Sequence, residues 1–292
     1  MAASVAAGPF DSKDWLFEIK QDGFRIVGYV QPDFVTLQTR KLVNYTNKFP
    51  SITTDLLKWN HSAILDGEVV VLNSDGISDF EALINWKIGS GVPVYYYVFD
   101  LLWLDGKDYM SVPLYKRKEA LKQLLPRSRI VRYQSDIRTH GIAAFNMAKE
   151  NHLEGIIAKR RESIYRPGIR SKDWLKVKAY KEDEFLIAGY TRNQGAGLIS
   201  TLILGAYKNK RLQFAGEVGT GLSAQVMEEI IRRVLQVPKC PFKKEPKLTT
   251  RWRRNKPDII VWCRPVLSCT VKYLEMTKGG ELRHASFKNL VS

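Results

Sequence analysis

The strongest constraint in this sequence is a two-residue period. In Trp15-Leu16-Phe17-Glu18-Ile19-Lys20 apolar and charged residues interleave. Successive side chains of an extended chain point to opposite faces, so Trp15, Phe17 and Ile19 share one face while Glu18 and Lys20 share the other. An Asp22-Gly23 turn and a β-prone run from Phe24 to Val30 follow, and together these predict a β-hairpin. The same parity returns in Leu65-Asp66-Gly67-Glu68-Val69, pairing Asp66 with Glu68, and in Trp174-Leu175-Lys176-Val177-Lys178, pairing two lysines. A further segment, Glu154-Gly155-Ile156-Ile157-Ala158-Lys159, is an apolar strand bracketed by an acid and a base. One such segment is what any half-exposed antiparallel sheet looks like. Lining a single cleft, the set would supply acids for a divalent cation and lysines for phosphates.

Between these strands, Phe80 to Trp86, Lys116 to Leu125 and Ile142 to Asn151 have helical spacing, and the Val-, Tyr- and Phe-rich run from Val94 to Leu101 reads as strand. Elements mix as α+β rather than in strict βαβ alternation. After Tyr180 the texture changes. Short strands at Phe185 to Tyr190, Thr201 to Tyr207, Leu212 to Gly219, Ile259 to Trp262 and Val266 to Glu275 surround one helix, Ala224 to Val237, as in a small β-barrel punctuated by Gly195, Gly197, Gly219 and Gly221. A chain of 292 residues suits two domains, and the change places them at 1–180 and 181–292.

Charge narrows the function. Lys and Arg number 46 against 30 Asp and Glu, a net charge of +16 that attracts polyanions. Residues 181–292 alone hold 20 basic and 10 acidic residues. No apolar run reaches the roughly 18 residues of a bilayer span, and no sustained basic amphipathic helix offers itself to a membrane surface, so nucleic acid is the favoured polyanion. Cys240, Cys263 and Cys269 make neither a disulfide framework nor a zinc site, which suits a reducing cytosol.

Lys20-Gln21-Asp22-Gly23-Phe24-Arg25 fits the K-x-D-G-x-R signature of covalent nucleotidyltransferases. Asp66-Gly67-Glu68, Phe99-Asp100-Leu101-Leu102, Glu154 to Lys159 and Trp174 to Lys178 follow in the order that ATP-dependent DNA ligases show. With Tyr165-Arg166-Pro167-Gly168, Arg170 and the terminal Leu282-Arg283-His284-Ala285-Ser286-Phe287-Lys288, the chain most resembles the ligase domain of the bacterial end-joining ligases, over residues 10 to 290. Two details depart from that family: Ala285 stands where Pro is usual, and a basic residue is missing near Leu290 and Val291.

The resemblance implies an adenylation domain followed by an OB-fold domain, ATP and Mg²⁺ or Mn²⁺ as cofactors, and nicked or broken duplex DNA as substrate. Lys20 would be the nucleophile. Glu18 would sit beside the adenine pocket, Phe99 against the base, Arg25 and Glu68 at the ribose, and Lys176 and Lys178 at the α-phosphate. Arg40 and Arg170 would contact nucleotide or 5′-phosphate, Glu68 and Glu154 would serve the metal, and Arg283 and Lys288 would close over pyrophosphate. It also implies a monomer of the bacterial cytoplasm and nucleoid, with a Ku-like end-binder as a candidate partner and no membrane.

A free lysine, with a pKa of about 10.4, must lose its proton to attack phosphorus. Nearby Lys176, Lys178 and a metal ion would favour that loss, whereas Glu18 and Glu68, if close, would oppose it. The densest basic cluster, Lys243, Lys244, Lys247, Arg251, Arg253, Arg254 and Lys256 with Trp252 among them, reads as an exposed loop suited to the DNA backbone. RNA ligases and capping guanylyltransferases share the lysine signature and form the alternative reading. An inactive duplex-binding protein is a further one, which the presence of Lys20, Glu68 and Glu154 disfavours.

Overall fold

The computed structural model describes residues 1–192, 199–248, 259–277 and 279–291. It divides the chain into two units, Met1–Ala179 and Tyr180–Ser292. Among the described residues no helix is long and apolar enough to cross a membrane.

In the first unit β1 (Ala2–Val5) precedes β2 (Ser12–Ile19). Trp15, Leu16, Phe17 and Glu18 are all buried, so β2 is covered on both faces, whereas its alternation predicts a wet one. Its place in the sheet explains this. The sheet runs β1, β11 (Arg170–Lys178), β10 (Gly155–Arg160), β2, β9 (Asp136–Thr139), and the helix Gly141–Glu150 packs beneath Phe17 and Ile156. The charged side of β2 faces the interior of the unit.

The hairpin expected across Asp22-Gly23 does not form. β3 (Phe24–Val30) joins a second sheet, between β4 (Val35–Thr39) and β5 (Ala63–Val71). That sheet continues through β6 (Val94–Leu104) to β7 (Lys107–Asp108), with β8 (Val131–Tyr133) parallel to β6. Residues 20–23 are thus a crossing between sheets. Lys20 N donates to Gly155 O at 2.9 Å and Asp22 N to Ser78 Oγ at 3.1 Å. A Cβ at Gly23 would lie 2.1 Å from Val69 O, so the crossing passes too close to β5 for any side chain.

α1 (Pro50–Leu56), α2 (Phe80–Ile84) and α3 (Leu114–Leu124) contribute Ile52, Leu56, Leu83 and Leu121 to the core of the second sheet. Asp79 caps α2 by accepting from Ala82 N at 2.8 Å. The remaining helix, α4 (Gly141–Glu150), serves the first sheet. Phe99, Leu102 and Ile64 from the second sheet meet Trp174 and Tyr165 in a small shared cluster, so the two sheets face each other.

In the second unit the long β12 (Lys181–Arg192) pairs with β13 (Ile199–Lys208), and β13 with β14 (Arg211–Val218). The other edge of β12 is shared: β16 (Ile259–Cys263) takes residues 189–192 and β17 (Ser268–Tyr273) takes 181–186. β20 (Ser286–Leu290) pairs with β17, and Phe287 N donates to Thr220 O, just beyond β14, at 2.9 Å. That bond rolls the path β14-β13-β12-β17-β20 back on itself, giving the OB-like barrel expected of an α+β chain with this ending.

α5 (Ala224–Arg233) starts at Ser223, whose side chain caps Val226 N, and stops four residues short of the expected Val237. Val234 turns extended and packs into the barrel, and β15 (Gln236–Val237) pairs with Cys263 and Trp262. The Lys239 to Lys256 stretch is not wholly an exposed loop. Phe242 and Leu248 are buried against Ala188 and Ile203 while Lys243, Lys244 and Lys247 are exposed. Arg251, Trp252, Arg253, Arg254 and Lys256, like Gly195 and Gly197, lie outside the described residues.

Candidate active site

Strand register delivers the central charges. β2 and β10 pair with Ile156 opposite Ile19 and Ile157 opposite Glu18, which carries Glu154, just before β10, alongside Lys20, just after β2. Their side chains form an ion pair. β11 pairs with β10 so that Lys178 stands opposite Gly155, and its Nζ lies 3.2 Å from the second oxygen of Glu154. Gly155 permits this: its φ is +130°, and a Cβ there would sit 2.1 Å from Val177 O. The carboxylate paired with Lys20 is therefore Glu154, while Glu68 is close enough to feel the Lys20 charge.

From the second sheet, β3 and β5 set Arg25 opposite Glu68. The Arg25 guanidinium forks instead onto Asp66, with Nε 3.0 Å from Oδ1 and Nη2 2.5 Å from Oδ2, and the Tyr165 hydroxyl donates to Oδ2 at 2.8 Å. Burial by itself would lower the Arg25 pKa; Asp66 overrides it, and the pKa rises. Asp66 is a fully buried anchor for Arg25.

Glu68, half-buried, has no hydrogen-bond or ion-pair partner among the described residues. Burial pushes its carboxyl up to about 8, against the opposing pull of Lys20 and Arg25. A carboxyl in this condition gains from a nearby divalent cation, whereas Glu154 already holds two ammonium groups that such an ion would rival, and among the described residues no cluster of three or more acids, histidines or cysteines is preformed for a metal.

Between the two sheets lies a cavity of about 270 Å³. Glu18, Lys20 and Lys176 line it from the first sheet, and Arg25, Glu68 and Phe99 from the second. Arg40 and Arg170, both exposed, stand at its edge, and Arg170 donates to Ala3 O. Burial, then Lys178, Arg170 and Lys20, lowers the Lys176 pKa. Positive charges crowded in this way suit an anion such as phosphate. Trp174 also lines the cavity, and its buried indole N–H has no acceptor among the described residues, a donor left over for a ligand.

Sequence reasoning missed what surrounds Glu18. Lys118 Nζ lies 2.6 Å from Oε1 and Lys159 Nζ 2.7 Å from Oε2, so a buried carboxylate stands between two buried lysines. The second contact is an ion pair without a well-aimed N–H. Burial lowers the Lys159 pKa. Burial would do the same to Lys118, but Glu18, Tyr133 and Asp136 override it and raise its pKa. Lys159 and Trp174 sat inside motif segments already in view, whereas nothing in local spacing marks Lys118, which meets Glu18 across 100 positions. Arg283 and Lys288 belong to the second unit: Arg283, in β19 (Leu282–Arg283), pairs with Glu275 of β18 (Glu275–Met276), and Lys288 Nζ lies 2.6 Å from Glu182.

A family model described as the ATP dependent DNA ligase domain matches residues 3–178, and one for the ATP dependent DNA ligase C terminal region matches residues 195–291. The multifunctional non-homologous end joining protein LigD of Pseudomonas aeruginosa is 34% identical over 95% of this chain and 33% of its own length. The SPbeta prophage-derived DNA ligase-like protein LigB of Bacillus subtilis is 32% identical over 96% of this chain and 94% of its own. A solved mycobacterial DNA ligase D, complexed with ATP and MES, is 31% identical, covers 99% of this chain and 93% of its own, and superposes with a TM-score of 0.60. The chain spans about a third of the length of the curated LigD relatives it matches.

Proposed function

Because this chain belongs to the ATP-dependent DNA ligase family, we propose that it seals 3′-hydroxyl/5′-phosphate breaks in duplex DNA through a lysyl-AMP on Lys20. The observation that carries this reading is the convergence, at one cavity, of Lys20, itself held by Glu154, with a Glu68 carboxyl and a Trp174 N–H that have no partner among the described residues.

In the first step Lys20 Nζ, released from Glu154 and deprotonated, forms a bond to the α-phosphorus of ATP as the α–β phosphoanhydride bond breaks and pyrophosphate leaves. An oxygen of the 5′-phosphate then bonds to the AMP phosphorus as its P–N bond to Lys20 breaks, and the 3′-hydroxyl oxygen, losing its proton to solvent, bonds to the 5′-phosphorus as the phosphoanhydride to AMP breaks and AMP leaves. Each transfer needs an in-line nucleophile and neutralised phosphate charge. Glu18 and Phe99 would hold the base, Arg25 and Glu68 the ribose, and Lys176 and Lys178 the α-phosphate. Arg40 and Arg170 would contact nucleotide or 5′-phosphate, and Arg283 and Lys288 would close over pyrophosphate. Glu68 and Glu154 would hold Mg²⁺ or Mn²⁺, which supplies charge neutralisation at the transferring phosphate.

The non-homologous end joining for which the LigD relative is named suggests double-strand breaks as the working substrate, in the bacterial cytoplasm, with a Ku-like end-binder as recruiter. The test is mass spectrometry of the chain incubated with ATP and Mg²⁺. A gain of one AMP mapped to Lys20 is expected, with none on Lys20→Arg, whose guanidinium keeps its proton. An adduct persisting on that variant would refute the assignment. Nicked DNA offered beside nicked RNA separates the ligase reading from RNA end chemistry.

A further inference from the structure

Behind Glu18 lies a group of buried charges that the adenylation chemistry does not itself require. Glu18 presents one wall of the cavity, and both of its oxygens are held from behind and beside. Lys159, on β10, also lines the cavity and lies 4.1 Å from the Phe99 ring centroid and 4.3 Å from that of Trp174. Lys118 does not line it. It arrives from α3, on the far side of Glu18, where its Nζ donates to Glu18 Oε1 at 2.6 Å and to Gln134 O at 3.0 Å. It lies 3.6 Å from Asp136 Oδ1 and 4.7 Å from the Tyr133 ring centroid. Its side chain is 3% exposed, as is that of Glu18.

A carboxylate offers about four lone-pair directions. With one ammonium on each oxygen, what Glu18 turns to the cavity is acceptor only. A purine edge with an amino group at C6 donates to such a wall. An oxo group at C6 would set acceptor against acceptor in a desolvated place, and discrimination of this kind is large because the mismatched groups stay unpaired. The direction of the carboxylate then decides which base is accepted. Lys159 holds Oε2 without a well-aimed hydrogen bond, so the directional restraint comes from Lys118, itself fixed by a backbone carbonyl and a second acid.

We propose that Lys118 is the positioning residue for nucleotide choice: from outside the cavity it fixes Glu18 so that a 6-amino purine triphosphate is accepted and a 6-oxo purine triphosphate refused. This rests on the reading of the cavity as an ATP site.

The test is single-turnover formation of the nucleotide adduct on Lys20 from α-labelled ATP, GTP and the triphosphate of purine riboside, which lacks any C6 group. For Lys118→Met the preference for ATP over GTP in kcat/KM falls by about tenfold or more, through a rise in KM for ATP. The penalty for removing the 6-amino group shrinks by a similar factor. Lys118→Leu, which likewise offers Glu18 no donor, carries the same comparison where the methionine variant does not fold. A folded variant whose preference and 6-amino penalty both stay within about twofold of wild type overturns the proposal. So does a uniform loss with all three nucleotides, which marks a merely structural lysine. A wild-type chain that forms no adduct with any of them sinks the ATP reading itself, an outcome distinct from an adduct that forms but ignores Lys118.

Discussion

Glu68 lines the cavity and Glu154 holds Lys20 beside it, yet among the described residues only Glu154 has partners, and that difference is measurable. Between its ordinary value of 4.5 and about 8, Glu68 keeps its proton in the fold and loses it in the unfolded chain. The native state then binds the extra proton, so metal-free stability falls as pH rises through that window. Glu68→Gln has no such slope. Its stability relative to wild type, read from urea midpoints, should increase from about pH 5 to pH 8 and level off above, while adduct formation with ATP and Mg²⁺ falls at least about tenfold. A flat difference across that range would mean Glu68 is not buried as an unpartnered acid. The sequence drew attention to Lys20, Glu68 and Glu154 through strand parity, which fixes which side chains share a face, and the structure brings Lys20 and Glu68 to one cavity with Glu154 paired to Lys20. It did not single out Glu154 as the acid paired with Lys20, because that contact depends on the register between β2 and β10, which no local pattern encodes.

Elements in this chain are held by pairs that span long stretches of sequence. Arg117 of α3 forks onto Asp100 of β6, Nε to Oδ1 at 2.7 Å and Nη2 to Oδ2 at 2.8 Å, and its Nη1 donates to Val112 O and Ser163 O. Both side chains are fully buried. Removing one partner strands the other, so Asp100→Ala should lose about 3–5 kcal/mol in urea unfolding, far more than an exposed pair such as Arg233–Glu229. In the barrel, burial pushes the thiols of Cys263 and Cys269 up to about 11 and about 12. Protons retained in the fold mean stability present below pH 9 and lost as pH rises toward 11 and 12. At pH 8 a thiol reagent should therefore modify the partly exposed Cys240 first, and the other two only on unfolding. Element type was legible from periodicity in most places, as with β6, α3 and α4. Two elements departed from it for physical reasons. The hairpin at Asp22-Gly23 failed because a turn signal does not say whether the chain returns to the same sheet. α5 ended early because Val234 finds its burial in the barrel as extended chain.

Across the whole molecule the two units differ in charge more than in size. Residues 181–292 hold 20 basic against 10 acidic residues, and among the described ones the barrel core is filled by Leu202, Leu204, Val271 and Phe287, none of them charged. Lys243, Lys244 and Lys247 are exposed beside Phe242 and Leu248, which anchor that segment to the barrel, so a basic segment is presented on a packed base. Such lysines neutralise phosphates and release counterions without reading bases. Affinity for a nicked duplex should then be indifferent to sequence and fall steeply with salt: with about six phosphates neutralised it drops roughly 10³-fold between 50 and 200 mM. Replacing Lys243 and Lys244 by Gln should reduce the slope of log K against log salt by about 0.9 for each phosphate no longer neutralised, with little change in adduct formation at Lys20. Fluorescence anisotropy across a salt series checks both numbers. A slope unchanged by the double substitution would move the DNA-binding face elsewhere on the chain, and an affinity that depended on base sequence would remove the backbone-contact basis altogether.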